Sequence, residues 1–182
     1  MALRVALLGG SFNPPHVGHL MAAYWTLATQ PVDRVWLMPA FNHPFRKSLA
    51  PFEHRLAMCE LAARDVRHVE VTRVEAEVGG EGWTYETLEH LRRTRPDVEP
   101  SLVVGSDLMI EKDKWKRFDR IRELATLIVI HRYGYDVPEA PGPMFAEVSS
   151  TEVRRRFAAG EDVHRWVPRA VLEYAQAHQL YR

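Results

Sequence analysis

Five short runs of aliphatic, often β-branched residues, each parted from the next by a longer stretch of helical pattern, leave this chain few folds to adopt. The runs are Val5 to Leu8, Arg34 to Met38, Val69 to Thr72, Leu102 to Val104 and Thr126 to Ile130. Between them lie Val17 to Ala28, Phe52 to Ala63, Thr84 to Arg93 and the stretch from Asp107 to Leu124. Strands and helices in alternation give right-handed crossovers and a parallel sheet covered on both faces. The first and fifth runs are nearly all apolar, as strands buried on both sides should be. A last helix pair, Thr151 to Ala159 and Pro168 to His178, closes the array, with Pro168 suited to a first helical position. Gly134 to Pro143 reads as a surface loop feeding a final strand, Met144 to Val148, and Gly79-Gly80-Glu81-Gly82 reads as a second loop.

Length and charge narrow the class further. A chain of 182 residues suits one domain, 1–182, with a sizeable core. Lys plus Arg equals Asp plus Glu at 24 each, so no global field draws in a polyanion. Arg92-Arg93 and Arg154-Arg155-Arg156 read first as solvated helix faces. The expectation is therefore no nucleic-acid partner and no membrane surface. Cys59 is the only cysteine, so no intrachain disulfide forms, and its setting in Leu56-Ala57-Met58-Cys59-Glu60-Leu61 is that of a packed helix face. No run approaches the roughly 18 apolar residues that span a bilayer, and no secretory leader pattern opens the chain. The expected compartment is the cytoplasm.

The chemistry concentrates in the first turn, Gly9-Gly10-Ser11-Phe12-Asn13-Pro14-Pro15-His16-Val17-Gly18-His19. It leads from a strand into a helix, where free N–H groups and the positive helix end favour a phosphate. It lacks the G-x-G-x-x-G spacing of dinucleotide sites and the lysine of a P-loop. What remains is His16 and His19, three positions apart and so on one helix face. They can be structural caps, a metal-chelating pair, or a phosphate clamp of two imidazole donors facing a triphosphate. A third metal ligand at suitable spacing is missing, and the adjoining glycines favour the clamp.

This turn resembles the (T/H)-x-G-H signature of the nucleotidylyltransferase superfamily, and its longer form resembles the bacterial nicotinate-nucleotide adenylyltransferases. The resemblance implies a Rossmann-like fold in which His16 stabilises the α-phosphate transition state and His19 holds ATP phosphate. Gly9, Gly10, Ser11 and Phe12 complete the implied ATP turn. Val148-Ser149-Ser150-Thr151-Glu152-Val153-Arg154 reads by itself as a capped helix start with a fork of donors one turn on. It is similar to the family's I-S-S-T-x-I-R, which implies that Ser149, Ser150, Thr151 and Arg154 hold the β- and γ-phosphates.

Weaker matches stand between. Gly105-Ser106-Asp107 follows a strand and resembles the family's G-x-D, which implies that Gly105 and Asp107 contact nucleotide; alone, Asp107 is an ordinary cap. Arg132 occupies the place of the family's R-P-G turn and is implied to reach the phosphates. Trp83-Thr84-Tyr85-Glu86-Thr87-Leu88 resembles Y-T-x-D-T-L, implying that Thr84 recognises the nicotinate carboxylate. Trp115 falls where the family stacks a tryptophan on the pyridine ring, although core packing also explains a tryptophan. After the second strand the family reads P-P-H-[KR], whereas this chain has Phe41-Asn42-His43-Pro44-Phe45-Arg46-Lys47. Lys47 is the candidate there for the acceptor phosphate, with His43 and Arg46 in shifted order.

The resemblance implies transfer of AMP from ATP to nicotinate mononucleotide, with Mg²⁺ carried on ATP and no protein metal cluster. Rival readings are a sister transferase acting on nicotinamide mononucleotide or phosphopantetheine, and an ATP-binding module without catalysis.

Overall fold

The fifth strand ends up beside the fourth, and the first lies in the middle. That order, β3-β2-β1-β4-β5 and parallel throughout, decides where a ligand can sit. The structure is a computed structural model that describes residues 2–42, 49–110, 115–132, 134–135 and 148–182. Its strands are β1 (Leu3–Gly10), β2 (Arg34–Pro39), β3 (Val69–Val71), β4 (Val98–Gly105) and β5 (Thr126–Ile130). Its helices are α1 (Val17–Thr29), α2 (Phe52–Ala63), α3 (Val74–Val78), α4 (Thr84–Thr94), α5 (Ser106–Ile110), α6 (Phe118–Leu124), α7 (Ser150–Ala158) and α8 (Arg169–Ala177).

Alternation along each strand builds two cores. Val5 and Leu7 of β1, with Leu102 and Val104 of β4, face Val74, Leu88, Leu91 and Ile121 from α3, α4 and α6. Ala6 and Leu8, with Val103 and Ile128, face Ala22, Ala23, Cys59 and Ala63 from α1 and α2. Adjacent residues in a strand point to opposite faces, so β1, β2, β4 and β5 each give residues to both layers, while β3 at the edge gives Val69 and Val71 to one. The expected doubly wound α/β sheet is thus present. A third cluster packs Met58 and Ala62 of α2 against Val153 of α7 and Val171 and Leu172 of α8. The chain winds outward through β2 and β3, then returns to lay β4 on the other side of β1. Ligands of open α/β sheets gather where the winding reverses, beyond the C-terminal ends of such strands. Here those ends are Gly10 and Gly105.

Some elements differ from the sequence expectation. The stretch from Asp107 to Leu124 is not one helix: Arg117, with φ 56°, stands in the left-handed region just before α6. β4 begins four residues earlier than expected, at Val98, and runs through Pro100. Pro100 is tolerated because β5 pairs only from Ser101 onward, so the missing N–H costs no ladder bond on that side. Helix α3 was not anticipated; five residues are too few to display a helical period. Pro168 is the cap before α8 and not its first residue. The expected final strand at 144–147 lies outside the described residues.

Candidate active site

The turn between β1 and α1 is held by side chains from distant parts of the chain. Arg55 of α2, only 2% exposed, donates to the Ser11 carbonyl at 3.0 Å and to the Ala50 carbonyl at 2.9 Å. A buried guanidinium needs such acceptors, and main-chain oxygens supply them. The amide oxygen of buried Asn13 accepts from the Ala50 N–H at 3.1 Å and from the Tyr181 hydroxyl at 2.9 Å. The approach to α2 and the last residues of the chain therefore both fix this turn.

Within it, His16 caps α1 with extended backbone, and its N–H donates to His19 Nδ1 at 3.1 Å. With Nδ1 accepting, a neutral His19 carries its proton on Nε2. The two rings stack with centroids 3.8 Å apart, and buried Phe12 supports His19 at 4.6 Å. His16 Nδ1 is buried without a hydrogen-bond partner, an arrangement that a ligand acceptor would satisfy. Gly18 leaves room for that ring, since a Cβ there would stand 3.0 Å from His16 Nδ1. Burial pushes the His16 pKa down to about 4, and the charge of Arg132 pushes the same way. Burial, then His16 and Arg132, hold His19 well below its ordinary value. Both imidazoles are therefore neutral at pH 7.

Arg132, just past β5, donates to Asp107 Oδ2 at 2.7 Å, while its own N–H is accepted by Ser106 Oγ at 2.9 Å. Asp107 Oδ1 is buried without a partner. Gly105 makes the close approach possible: a Cβ there would collide with both Asp107 and Arg132. Helix α7 joins from the far end of the chain. Ser149 caps it by accepting from the Glu152 N–H at 3.2 Å. Ser150 Oγ donates to the Pro14 carbonyl at 2.9 Å, and Arg154 donates to the Asn13 carbonyl at 2.8 Å and to Thr151 Oγ1 at 3.3 Å. Both motifs singled out in the sequence therefore meet at one corner.

Beside this corner a cavity of about 230 Å³ opens at the ends of β1 and β4, several times the roughly 30 Å³ of a water molecule. Gly9, Gly10, Ser11, Thr84 and Trp115 all line it. Trp115 also packs on the core below the sheet and meets Phe118 edge-on at 6.3 Å. A flat apolar ring fits such a wall. Lys47, with His43 and Arg46, lies outside the described residues. Among the lining residues that the sequence reading did not single out are Asn42, Glu75 and Lys116. Asn42 donates to the Gly80 carbonyl at 2.6 Å, tying two loops at the rim. Glu75 sits on the unanticipated α3. Gly18 and Arg55 were missed as well; the glycine inside H-x-G-H was the available signal for the first, and nothing local marks the second.

Comparison with known proteins matches residues 7–156 to the cytidylyltransferase-like family. A protein of Anaeromyxobacter dehalogenans, named as a probable nicotinate-nucleotide adenylyltransferase, is 57% identical, covering 98% of this chain and 96% of that one. The chain belongs to this family, among the nicotinate-nucleotide adenylyltransferases. A Thermus thermophilus relative of the same name is 39% identical, covering 99% of this chain and 100% of its own. Among solved structures, Plasmodium falciparum nicotinic acid mononucleotide adenylyltransferase complexed with NaAD superposes with a TM-score of 0.81. It covers 98% of this chain and 97% of that one at 18% identity, a likeness of fold alone. Among the described residues no helix is long and apolar enough to cross a membrane, and no group of three or more His, Cys, Asp or Glu is arranged to hold a metal ion.

Proposed function

We propose that this chain transfers AMP from ATP to nicotinate mononucleotide, releasing deamido-NAD and pyrophosphate, and that residues 1–182 act as one domain. One observation carries the reading: two phosphate-type corners, the His16–His19 turn and the start of α7, meet beside a cavity walled by Trp115. The names of the full-length relatives support the acceptor assigned here.

In this reading an acceptor phosphate oxygen attacks the α-phosphorus in line, the P–O bond to the β-phosphate breaks, and pyrophosphate leaves. The attacking oxygen is already anionic, so no strong general base is needed. Rate comes from alignment and from donors aimed at charge that develops on the α-phosphate. His16 supplies such a donor from a buried, neutral ring, and His19 offers Nε2–H to an adjoining phosphate. Gly9, Gly10, Ser11 and Phe12 present backbone to the nucleotide. Ser149, Ser150, Thr151 and Arg154 take the β- and γ-phosphates, with Arg132 drawn to the same charge. Asp107 Oδ1 accepts from a ribose hydroxyl, and Gly105 keeps the path to it open. Thr84 and Trp115 bind the pyridine ring, and Lys47 the acceptor phosphate.

Mg²⁺ enters with ATP as substrate and neutralises phosphate charge when bound. The described donors suit a cation held mainly by phosphate and water oxygens, with the orphan oxygen of Asp107 free for sugar. Pyrophosphate release with ATP and Mg²⁺ compares acceptors directly. Nicotinate mononucleotide should outrun nicotinamide mononucleotide and phosphopantetheine; preference for either of the latter would overturn the acceptor assignment.

A further inference from the structure

Two ionisable side chains stand among the described lining of the cavity, and they differ in kind. Glu75 is buried, its carboxylate accepts from Thr87 Oγ1 at 3.1 Å, and burial raises its pKa against the charged form. Lys116 lies at the solvent side with an exposed residue surface, yet reaches the cavity wall. Its ammonium sits 4.8 Å from the centroid of the Trp83 ring. Trp83 is the cap of α4 and immediately precedes Thr84, while Lys116 immediately follows Trp115. One end of the cavity thus collects an ammonium, two indoles and the start of a helix.

The chemistry of that end is selective. The indoles and the apolar wall of Met38, Leu108 and Ile121 suit any flat pyridine. They do not distinguish a carboxylate on the ring from an amide of the same shape. A lysine does, because its four-carbon stem swings a full positive charge on and off an aromatic face at little cost. Over Trp83 the ammonium is kept near the pocket, and a carboxylate entering beside Thr84 offers it a stronger partner. A hydrogen bond between two ions is worth more than one to a neutral amide, by roughly tenfold in binding.

We infer that Lys116 is a specificity-determining residue that selects an anionic ring substituent over a neutral one at the Trp83–Thr84 end of the acceptor cavity. The inference rests on the proposed adenylyl transfer to a pyridine mononucleotide. A positive charge serving only the acceptor phosphate would favour both mononucleotides alike, so comparing the two acceptors isolates the ring substituent.

The test is kcat/KM on nicotinate and nicotinamide mononucleotides, at saturating ATP and Mg²⁺, for the wild type, K116Q and K116R. The position is exposed, so neither substitution disturbs the core. The nicotinate-to-nicotinamide ratio should fall about tenfold in K116Q and hold within about twofold in K116R. An unchanged ratio in K116Q, or an equal loss on both acceptors, would overturn it. A wild type that releases pyrophosphate with neither acceptor overturns the adenylyl-transfer reading itself, and does so before any variant is made.

Discussion

Arg154 donates to the main-chain oxygen of Asn13 at 2.8 Å, joining positions 141 apart in sequence. The contact fastens the start of α7 to the turn that carries both histidines. Replacing Arg154 with Ala removes a charged donor and loosens that junction together. KM for ATP should rise roughly 10- to 100-fold, the range for losing a charge-assisted hydrogen bond. Lysine should restore little, since one ammonium cannot span Asn13 and Thr151 as the guanidinium fork does. Steady-state kinetics on the two variants checks this.

Gly18 leaves His16 its room. A methyl at that position would meet His16 Nδ1 at 3.0 Å, so Gly18→Ala should turn the imidazole away from its buried setting. Turnover should fall by about 10- to 100-fold, with circular dichroism and melting temperature little changed. Near-normal kcat in this variant would separate the glycine from catalysis.

The pH dependence of stability follows from His16. Its folded pKa, about 4, lies below the ordinary value near 6.5. Between those values the unfolded chain binds a proton that the folded chain refuses, so stability falls as pH drops from 6.5 toward 4. Above 6.5 both states are neutral and the contribution is constant. The loss summed across this window is on the order of 3 kcal/mol. His19 adds to it in the same direction. Urea midpoints measured from pH 7 to pH 4 should show the slope, and His16→Gln should reduce it, leaving the part that His19 contributes.

Tyr181 supplies a smaller effect. Its hydroxyl reaches the same Asn13 oxygen that the Ala50 N–H occupies. Tyr181→Phe leaves Asn13 one partner, so the loss should be near 1 kcal/mol and a few degrees of melting temperature. Calorimetry of the two proteins measures it.

Much of this was legible in the residues. The strands showed because β1 and β5 are apolar runs flanked by helical pattern, and the first turn showed because glycines and paired histidines are rare together. The joining of Ser150 and Arg154 to that turn needed the resemblance between the two motifs and a known family. What was hidden has physical causes. Helix α3 is too short for periodicity, and it carries Glu75 into the cavity. The start of β4 carries Pro100, which only one-sided pairing permits in a strand. Arg55 reads as an exposed charge on a helix until its carbonyl acceptors, 5 and 44 positions away, are seen. Nothing in the sequence singles out Lys116, because its partner Trp83 comes from a different helix start.

The most direct test of the central claim is product analysis of the wild-type protein incubated with ATP, Mg²⁺ and nicotinate mononucleotide. Deamido-NAD and pyrophosphate should form in equal amounts, with formation of both severely cut in His16→Ala while the fold survives. ATP binding without pyrophosphate release on any acceptor would contradict it.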